Sequence, residues 1–348
     1  MPAISVGRRL PGGRAGQVRA LAEALDWPLA TKTLSYRGAV VWPHVLGQAS
    51  VAGITARSRA QLRPPWPDLV VSSGVRNEPV CRWIRRQSGG HTRYVHVGRP
   101  WGPLDSFDLV ITTPQYRVPD HPRVLHNTLT LHGINADSLA RAREHWERRF
   151  AELPHPRVAV VVGGDSGPFT LGPKAASRLG REASELAASR GGSLLVSTSA
   201  RTRDSAVEAL RRNIGVPHYF YRWRAQDPDN PYLGMLACAD RVIVTGDSIA
   251  MLSEACATAK PVQIFDIGGM RAGASDVDRD FRPGALLYAA LLRWFWAPLS
   301  RDITRVHSRL RDAGAVAWLD EPPNGARAEA VTDLPRAVAA VRALLGEV

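Results

Sequence analysis

The chain has 348 residues, 45% of them hydrophobic, and its 45 Lys and Arg outnumber 32 Asp and Glu for a formal net charge of +13. That length exceeds the ~250 residues at which a single core stops growing, so two lobes are expected. The positive field attracts anions such as an acidic bilayer surface or a phosphorylated substrate, yet no run of roughly five basic residues marks a nucleic-acid tail, and nucleic acid is not an expected partner.

The elements follow one another as apolar strand, small or polar turn, and amphipathic helix. "AISV" leads through "GRRLPGGRAGQ" into the helical "VRALAEAL". "PDLVVSSG" (67–74) precedes the helical "NEPVCRWIRRQ", and "RYVHVG", "FDLVITTP" (107–114) and "RVLHNTLTL" (123–131) continue the strands. The charged helix "SLARAREHWERRFAEL" ends at "PHPR" (154–157), which reads as a linker because a second series starts there. That series runs "VAVVVGG", a helix, "GSLLVSTS", a helix, "HYFYRW", "NPYLGMLACA", "RVIVTG", "SIAMLSEACATA" and "PVQIF". Strands alternating with helices imply parallel sheets covered on both faces, and continuous Val/Ile/Leu runs agree with that burial. The fold class is therefore α/β: two Rossmann-like doubly wound parallel-sheet domains facing a cleft, at 1–153 and 158–330.

The run "GALLYAALLRWFWAPL" (284–299) contains Arg293 and stops at Pro298, short of the ~18–20 residues that span a bilayer. It suits a packing helix or, through Trp294, Phe295 and Trp296, an interfacial patch. The terminal "LPRAVAAVRALLGEV" is an amphipathic helix within 331–348, placed by analogy back on the first domain. Cys81, Cys238 and Cys256 are too few and too far apart for a disulfide framework or a CxxC metal site, and "MPAISVGRRL" holds no signal-peptide run. A cytoplasmic setting is expected.

In open α/β sheets the residues just after each strand line the ligand crevice. Here they are small and polar: Gly163, Gly164, Asp165, Ser166 and Gly167, then Ser197, Thr198, Ser199 and Arg201, then Thr245, Gly246, Asp247 and Ser248. Glycines let a backbone approach a ligand and turn N–H groups to an anion, or serve a turn with φ > 0. Arg201 offers a fork for phosphate oxygens, while Asp204 and Ser205 suit a helix cap. Asp247 and Ser248 stand where a helix N-terminus would favour a pyrophosphate, and they also suit capping. Glu254, on the second turn of that helix among small and apolar residues, fits a carboxylate against the diol of a ribose, or a solvated Glu.

"TGDSIAMLSEACATAKPV" resembles the nucleotide-sugar signature of B-type-fold (GT-B) glycosyltransferases, including the lipid-linked N-acetylglucosaminyltransferase of peptidoglycan synthesis. With "GGDSGPF" and "STSARTRD", the longer "NPYLGMLACADRVIVTGDSIAMLSEACATAKPV" resembles the mitochondrial-fission (elongated-mitochondria) family and its bacterial relatives. The resemblance is strongest over 158–268 and looser in the first domain, through "GRAGQVRALAEAL", "SSGVRNEPVCRWIRR" and "FDLVITTPQ". It implies a nucleotide-diphosphate sugar in the second domain. Gly163 to Ser166 would lie near sugar or phosphates, Ser199, Arg201 and Thr202 near phosphate, and Asp247, Ser248 and Ile249 at the pyrophosphate. Glu254 would hold the ribose, and the loop of Arg222 and Trp223 the base.

The implied function is transfer of a sugar from that donor to an envelope glycan or lipid-linked acceptor, without a metal or other cofactor, by a protein peripheral on an inner membrane. "DVD" at 276–278 is too weak a motif to assign a metal. The peptidoglycan enzyme ends its first Gly-rich loop in a His, whereas "PGGRAGQ" has Arg14, which stays protonated and is no general base. Gly12, Gly13 and Arg14 would bind an anionic acceptor, leaving Glu78 as the candidate catalytic residue. The alternatives are a non-catalytic scaffold of the same fold, acting through protein partners in organelle or cell division, and a sugar-nucleotide epimerase.

Overall fold

The computed structural model describes residues 3–7, 13–37, 48–271, 280–285, 301–322 and 333–346. The chain divides into two units, 1–133 with 332–348, and 134–331.

Unit 1 is a parallel sheet ordered β2-β1-β3-β4-β5-β6. Its elements are β1 (Ala3–Gly7), α1 (Gly13–Ala24), β2 (Leu29–Thr33), the short α2 (Ala56–Arg59), β3 (Leu69–Ser73), α3 (Glu78–Gln87), β4 (Arg93–Val97), β5 (Leu109–Thr112) and β6 (Val124–His126). The inner strands are hydrophobic on both faces because both are covered. Val71, Val95 and Ile111 pack with Leu21 of α1 and with Leu25 just beyond its end, while Val70, Tyr94 and Val110 pack on the other face with Val80 and Ile84 of α3.

Unit 2 opens with α4 (Ala136–Trp146), then β7 (Arg157–Val161), α5 (Pro173–Ala188), β8 (Ser193–Ser197), α6 (Asp204–Arg212) and β9 (His218–Tyr221). There follow α7 (Tyr232–Cys238), β10 (Arg241–Thr245), α8 (Ile249–Cys256), β11 (Val262–Phe265), α9 (Thr304–Asp312) and β12 (Ala317–Trp318). The strand order β12-β11-β10-β7-β8-β9, all parallel, is the doubly wound order of dinucleotide-binding sheets, with its switch point between β7 and β10. The last helix, α10 (Leu334–Leu344), returns to unit 1, where Ala337 and Val341 join the α1 core and Asp333 Oδ2 accepts the Leu129 N–H at 2.8 Å.

The boundary corrects the sequence-based division: residues 134–153 belong to unit 2. The charged helix α4 carries a narrow apolar edge whose Trp146 packs onto Gly234 of α7, so closely that a Cβ there would lie 2.2 Å from Trp146 Cγ. "PHPR" is no inter-domain linker, since Arg157 already belongs to β7 and its N–H donates to Asp240 Oδ2 at 2.7 Å.

Candidate functional site

The carboxyl ends of β7, β8 and β10 share one edge of the unit 2 sheet, at its switch point. The Gly163 N–H donates to Thr245 Oγ1 at 2.8 Å, and the Gly164 N–H to Asp247 Oδ2 at 2.9 Å. The Thr245 hydroxyl donates to Asp247 Oδ1 at 2.7 Å, and Arg201 Nη2 lies 2.8 Å from Asp247 Oδ2. Asp247 is fully buried, and the loss of solvent raises its pKa above 3.8 despite the pull of Arg201.

The two glycines are required by close approach. A Cβ on Gly163 would lie 2.2 Å from an Asp247 carboxylate oxygen, and one on Gly164 would lie 2.2 Å from the Arg201 carbonyl oxygen. Neither has positive φ, unlike Gly167 at φ 58°. Both N–H groups are already donated to side chains of the protein, that of Gly163 to the Thr245 hydroxyl and that of Gly164 to the Asp247 carboxylate, and neither is left for a ligand anion.

Ser199 and Thr202 brace the same loop: the Ser199 hydroxyl donates to the Gly163 carbonyl at 2.8 Å and the Thr202 hydroxyl to the same oxygen at 2.5 Å. Arg201 Nη1 donates to the Asp165 carbonyl at 3.0 Å. Asp165 Oδ1 accepts the Leu171 N–H at 3.0 Å, and its Oδ2 pairs with Arg203 at 2.6 Å, with Arg282 at 3.9 Å. Ser166 and Phe169 exchange backbone bonds across Gly167, whose carbonyl accepts from Arg282 at 2.7 Å. Among the described residues Arg201, Arg203 and Arg282 thus face Asp247 and Asp165, while a third carboxylate, Asp280, accepts the adjacent Gly172 and Ala175 N–H groups at 3.1 and 2.9 Å.

Ser248 is the N-cap of α8 but its side chain makes no capping bond, and the first turn holds no acidic residue. Asp247 turns into the strand-end network instead of capping. The Ile249, Ala250 and Met251 N–H groups, left without intrahelical partners by helix geometry, meet no side-chain acceptor among the described residues. Glu254, one turn on, is half-buried and accepts the Tyr232 hydroxyl on Oε2 at 2.5 Å. Loss of solvent raises the Glu254 pKa and carries the Tyr232 hydroxyl well above its ordinary value. Tyr232, on α7, was not anticipated: nothing in a spacing of 22 residues signals the contact.

Arg222 and Trp223 follow β9 at the same edge. Exposed Arg222 pairs with Asp204 at 2.7 Å, and the Trp223 N–H donates to Thr198 Oγ1 at 2.9 Å with the ring half-exposed. Asp204 is therefore an ion-pair partner, and Arg203 occupies the N-cap of α6.

Glu78 is corrected. It is fully buried in unit 1, its oxygens accept the Trp101 and Gly102 N–H groups at 2.9 Å each, and Oε2 lies 3.4 Å from Arg82 Nη1. A carboxylate so enclosed holds a loop and is not presented to a substrate. Gly13 and Arg14 open α1, whereas Gly12, the "DVD" motif and the apolar run from 286 onward lie outside the described residues. Among the described residues no group of three His, Cys, Asp or Glu is placed to hold a metal, and no helix is long and apolar enough to cross a membrane.

Comparison with known proteins places the chain among relatives. The profile described as Mitochondrial fission ELM1 matches residues 12–345. Mitochondrial fission protein ELM1 of Arabidopsis thaliana is 27% identical over 315 residues, 84% of this chain and 69% of the plant protein. A Rickettsia prowazekii protein, RP120, is 24% identical over 73% of this chain and 80% of its own length. Among solved structures, a glycosyltransferase from Rickettsia africae aligns at 10% identity and TM-score 0.49, over 100% of this chain and 99% of its own. The UDP-GlcNAc 2-epimerase of Neisseria meningitidis, solved with UDP-GlcNAc, aligns at 12% identity and TM-score 0.48, over 99% and 100%. The chain belongs to the mitochondrial fission ELM1 family.

Proposed function

We propose that unit 2 binds a nucleoside diphosphate sugar and that the protein transfers the sugar to an envelope glycan or lipid-linked acceptor. The observation that carries this reading is the uncapped N-terminus of α8 at the β7/β10 switch point, with Arg201 held beside it by Asp247. Sugar transfer breaks the bond between the anomeric carbon and the diphosphate oxygen, and charge gathers on the leaving diphosphate. Helix N–H groups and a guanidinium stabilise that charge in a fixed geometry. Glu254, with one oxygen engaged by Tyr232, would accept from the ribose hydroxyls, and Trp223 would face the base. In this reading the leaving group is neutralised by the protein without a metal, and the net charge of +13 draws the protein to an anionic membrane surface.

A thermal-shift series with UDP, GDP, CDP, ADP and their sugars tests the donor. Saturation at about 100 times Kd stabilises by about 2.7 kcal/mol, a rise of about 5–10 °C for a unit of this size. Glu254→Ala is expected to melt a few degrees below the wild type without ligand, because the Tyr232 hydroxyl loses its acceptor, and to show no further rise with the donor. An undiminished rise in the variant would sink the ribose assignment.

The enclosure of Glu78 favours a second reading, a non-catalytic scaffold that keeps the fold and acts through protein partners. Slow hydrolysis of the matched donor without acceptor supports the transferase, and binding without turnover supports the scaffold. Release of a sugar nucleotide with altered stereochemistry would assign an epimerase instead.

A further inference from the structure

Arg82, Arg85 and Arg86 line one concavity of unit 1, together with Gly89, Gly90 and Ser106, in a volume of about 400 Å³. Their spacing of three and four residues sets them on one face of α3. Arg82 is 6% exposed, and its Nη1 lies 3.4 Å from both Glu78 Oε2 and Ser106 Oγ. Arg85 lies 3.2 Å from Asp108 Oδ1, which Arg93 also approaches at 3.5 Å. Exposed Arg86 has no ion pair among the described residues. Two further carboxylates stand nearby among the described residues: exposed Asp105, which faces His121 at 3.5 Å and whose carbonyl accepts from Arg123 at 2.5 Å, and Asp68, which faces His91 at 2.5 Å. Among the described residues five guanidinium groups therefore stand against four carboxylates, an excess of one positive charge, and Arg86 is the lining guanidinium without an ion pair.

The position of this concavity separates it from the ligand crevice of the fold. Helix α3 leaves the carboxyl end of β3, so its last turn, where Arg85 and Arg86 sit, reaches the start of β4; Ser106 precedes β5. The concavity thus lies at the amino-terminal edge of the sheet, whereas such folds bind substrates at the carboxyl edge. Cations in a last helical turn also complement the helix dipole, which accounts for the charge of Arg85 and Arg86. It does not account for the hollow between them, on whose wall Arg82, one turn earlier and almost wholly buried, answers Glu78 and donates to the Gln48 carbonyl at 3.3 Å.

We infer that this concavity binds a phosphate group, carried either by a soluble phosphomonoester or by an anionic lipid headgroup. Guanidinium forks suit phosphate oxygens, and exposed Arg86 meets no carboxylate among the described residues.

The test uses the full chain, the variant Arg86→Glu, and Arg19→Glu as a control with the same change in net charge. Arg19 is an exposed residue of α1 whose only ion pair among the described residues is with Glu23 at 2.6 Å. Glycerol 3-phosphate is titrated by calorimetry in a Glu254→Ala background, so that failure of the proposed donor site leaves the result intact. Vesicles of phosphatidylcholine, with and without phosphatidylglycerol, are assayed by flotation. Binding of one probe that falls on the order of tenfold in Arg86→Glu and not in Arg19→Glu is expected. Loss with vesicles alone assigns a headgroup, and loss with glycerol 3-phosphate alone assigns a soluble ligand. No binding of either probe, or equal loss in both variants, overturns the inference. Arg86→Gln, which keeps polarity without the reversed charge, is expected to fall between wild type and Arg86→Glu.

Discussion

Replacing Asp247 by alanine is expected to lower the stability of unit 2 by about 2–4 kcal/mol and its melting temperature by about 5–15 °C. The substitution leaves the Gly164 N–H and the Thr245 hydroxyl without their acceptor in a fully buried place, at about 1–3 kcal/mol for each unmet donor. Part of that loss is offset, because the buried carboxylate itself is costly to ionise: its pKa is raised, first by desolvation, and Arg201 only partly opposes this. Asp247→Asn keeps the shape and one acceptor, so it is expected to recover most of the stability.

The two variants also separate by pH. A carboxylate whose folded pKa is raised binds its proton more tightly in the folded state, so ionisation lowers stability as pH climbs from 3.8 through the folded value. The stability of wild type relative to Asp247→Asn should therefore decline over that window and level off above it. Denaturant melts from pH 3.5 to 7 decide the matter; a difference that grows with pH would mean that Arg201 outweighs burial. Both variants release Arg201 from its fixed orientation, and both should weaken nucleotide diphosphate binding even where Asp247→Asn is as stable as wild type.

This network shows where sequence reading stops. The parallel strands of both units were legible because strands buried on both faces are continuous runs of Val, Ile and Leu, as in "VAVVV" and "RVIVT". Strand β2, "LATKT", lies mostly exposed at the edge of its sheet and carries no such run, so no hydrophobic signal marks it. The polar strand ends were legible as a group, since a crevice at the carboxyl edge follows from the topology. Which of those residues face a ligand was not. Ser199 and Thr202 have the composition of phosphate binders, but their hydroxyls are directed at the Gly163 carbonyl. Asp247 has the composition of a cap, yet it pairs with Arg201, 46 residues away in the chain. The unit to which helix α4 belongs is not legible in sequence, because its docking site is a glycine on α7, a residue whose importance lies in what it lacks.

Glu78 presents the opposite case, a carboxylate that sequence placed in chemistry and structure places in the core of unit 1. Glu78→Ala is expected to destabilise unit 1 by about 3–5 kcal/mol, lowering its melting temperature by about 10 °C. It leaves the Trp101 and Gly102 N–H groups unmet and strands Arg82, only 6% exposed, without its counter-charge. Glu78→Gln keeps the size but also abandons Arg82, so it should fall between Ala and wild type. The double variant Glu78→Gln with Arg82→Met removes both charges, and recovery of much of the loss is expected, because an apolar side chain replaces a buried ion pair at little net cost. A general base would behave differently: Glu78→Gln would then abolish turnover at an unchanged melting temperature, and the second substitution would restore nothing. Melting curves of the three variants, with donor hydrolysis measured beside them, separate a carboxylate that holds a loop from one that takes a proton.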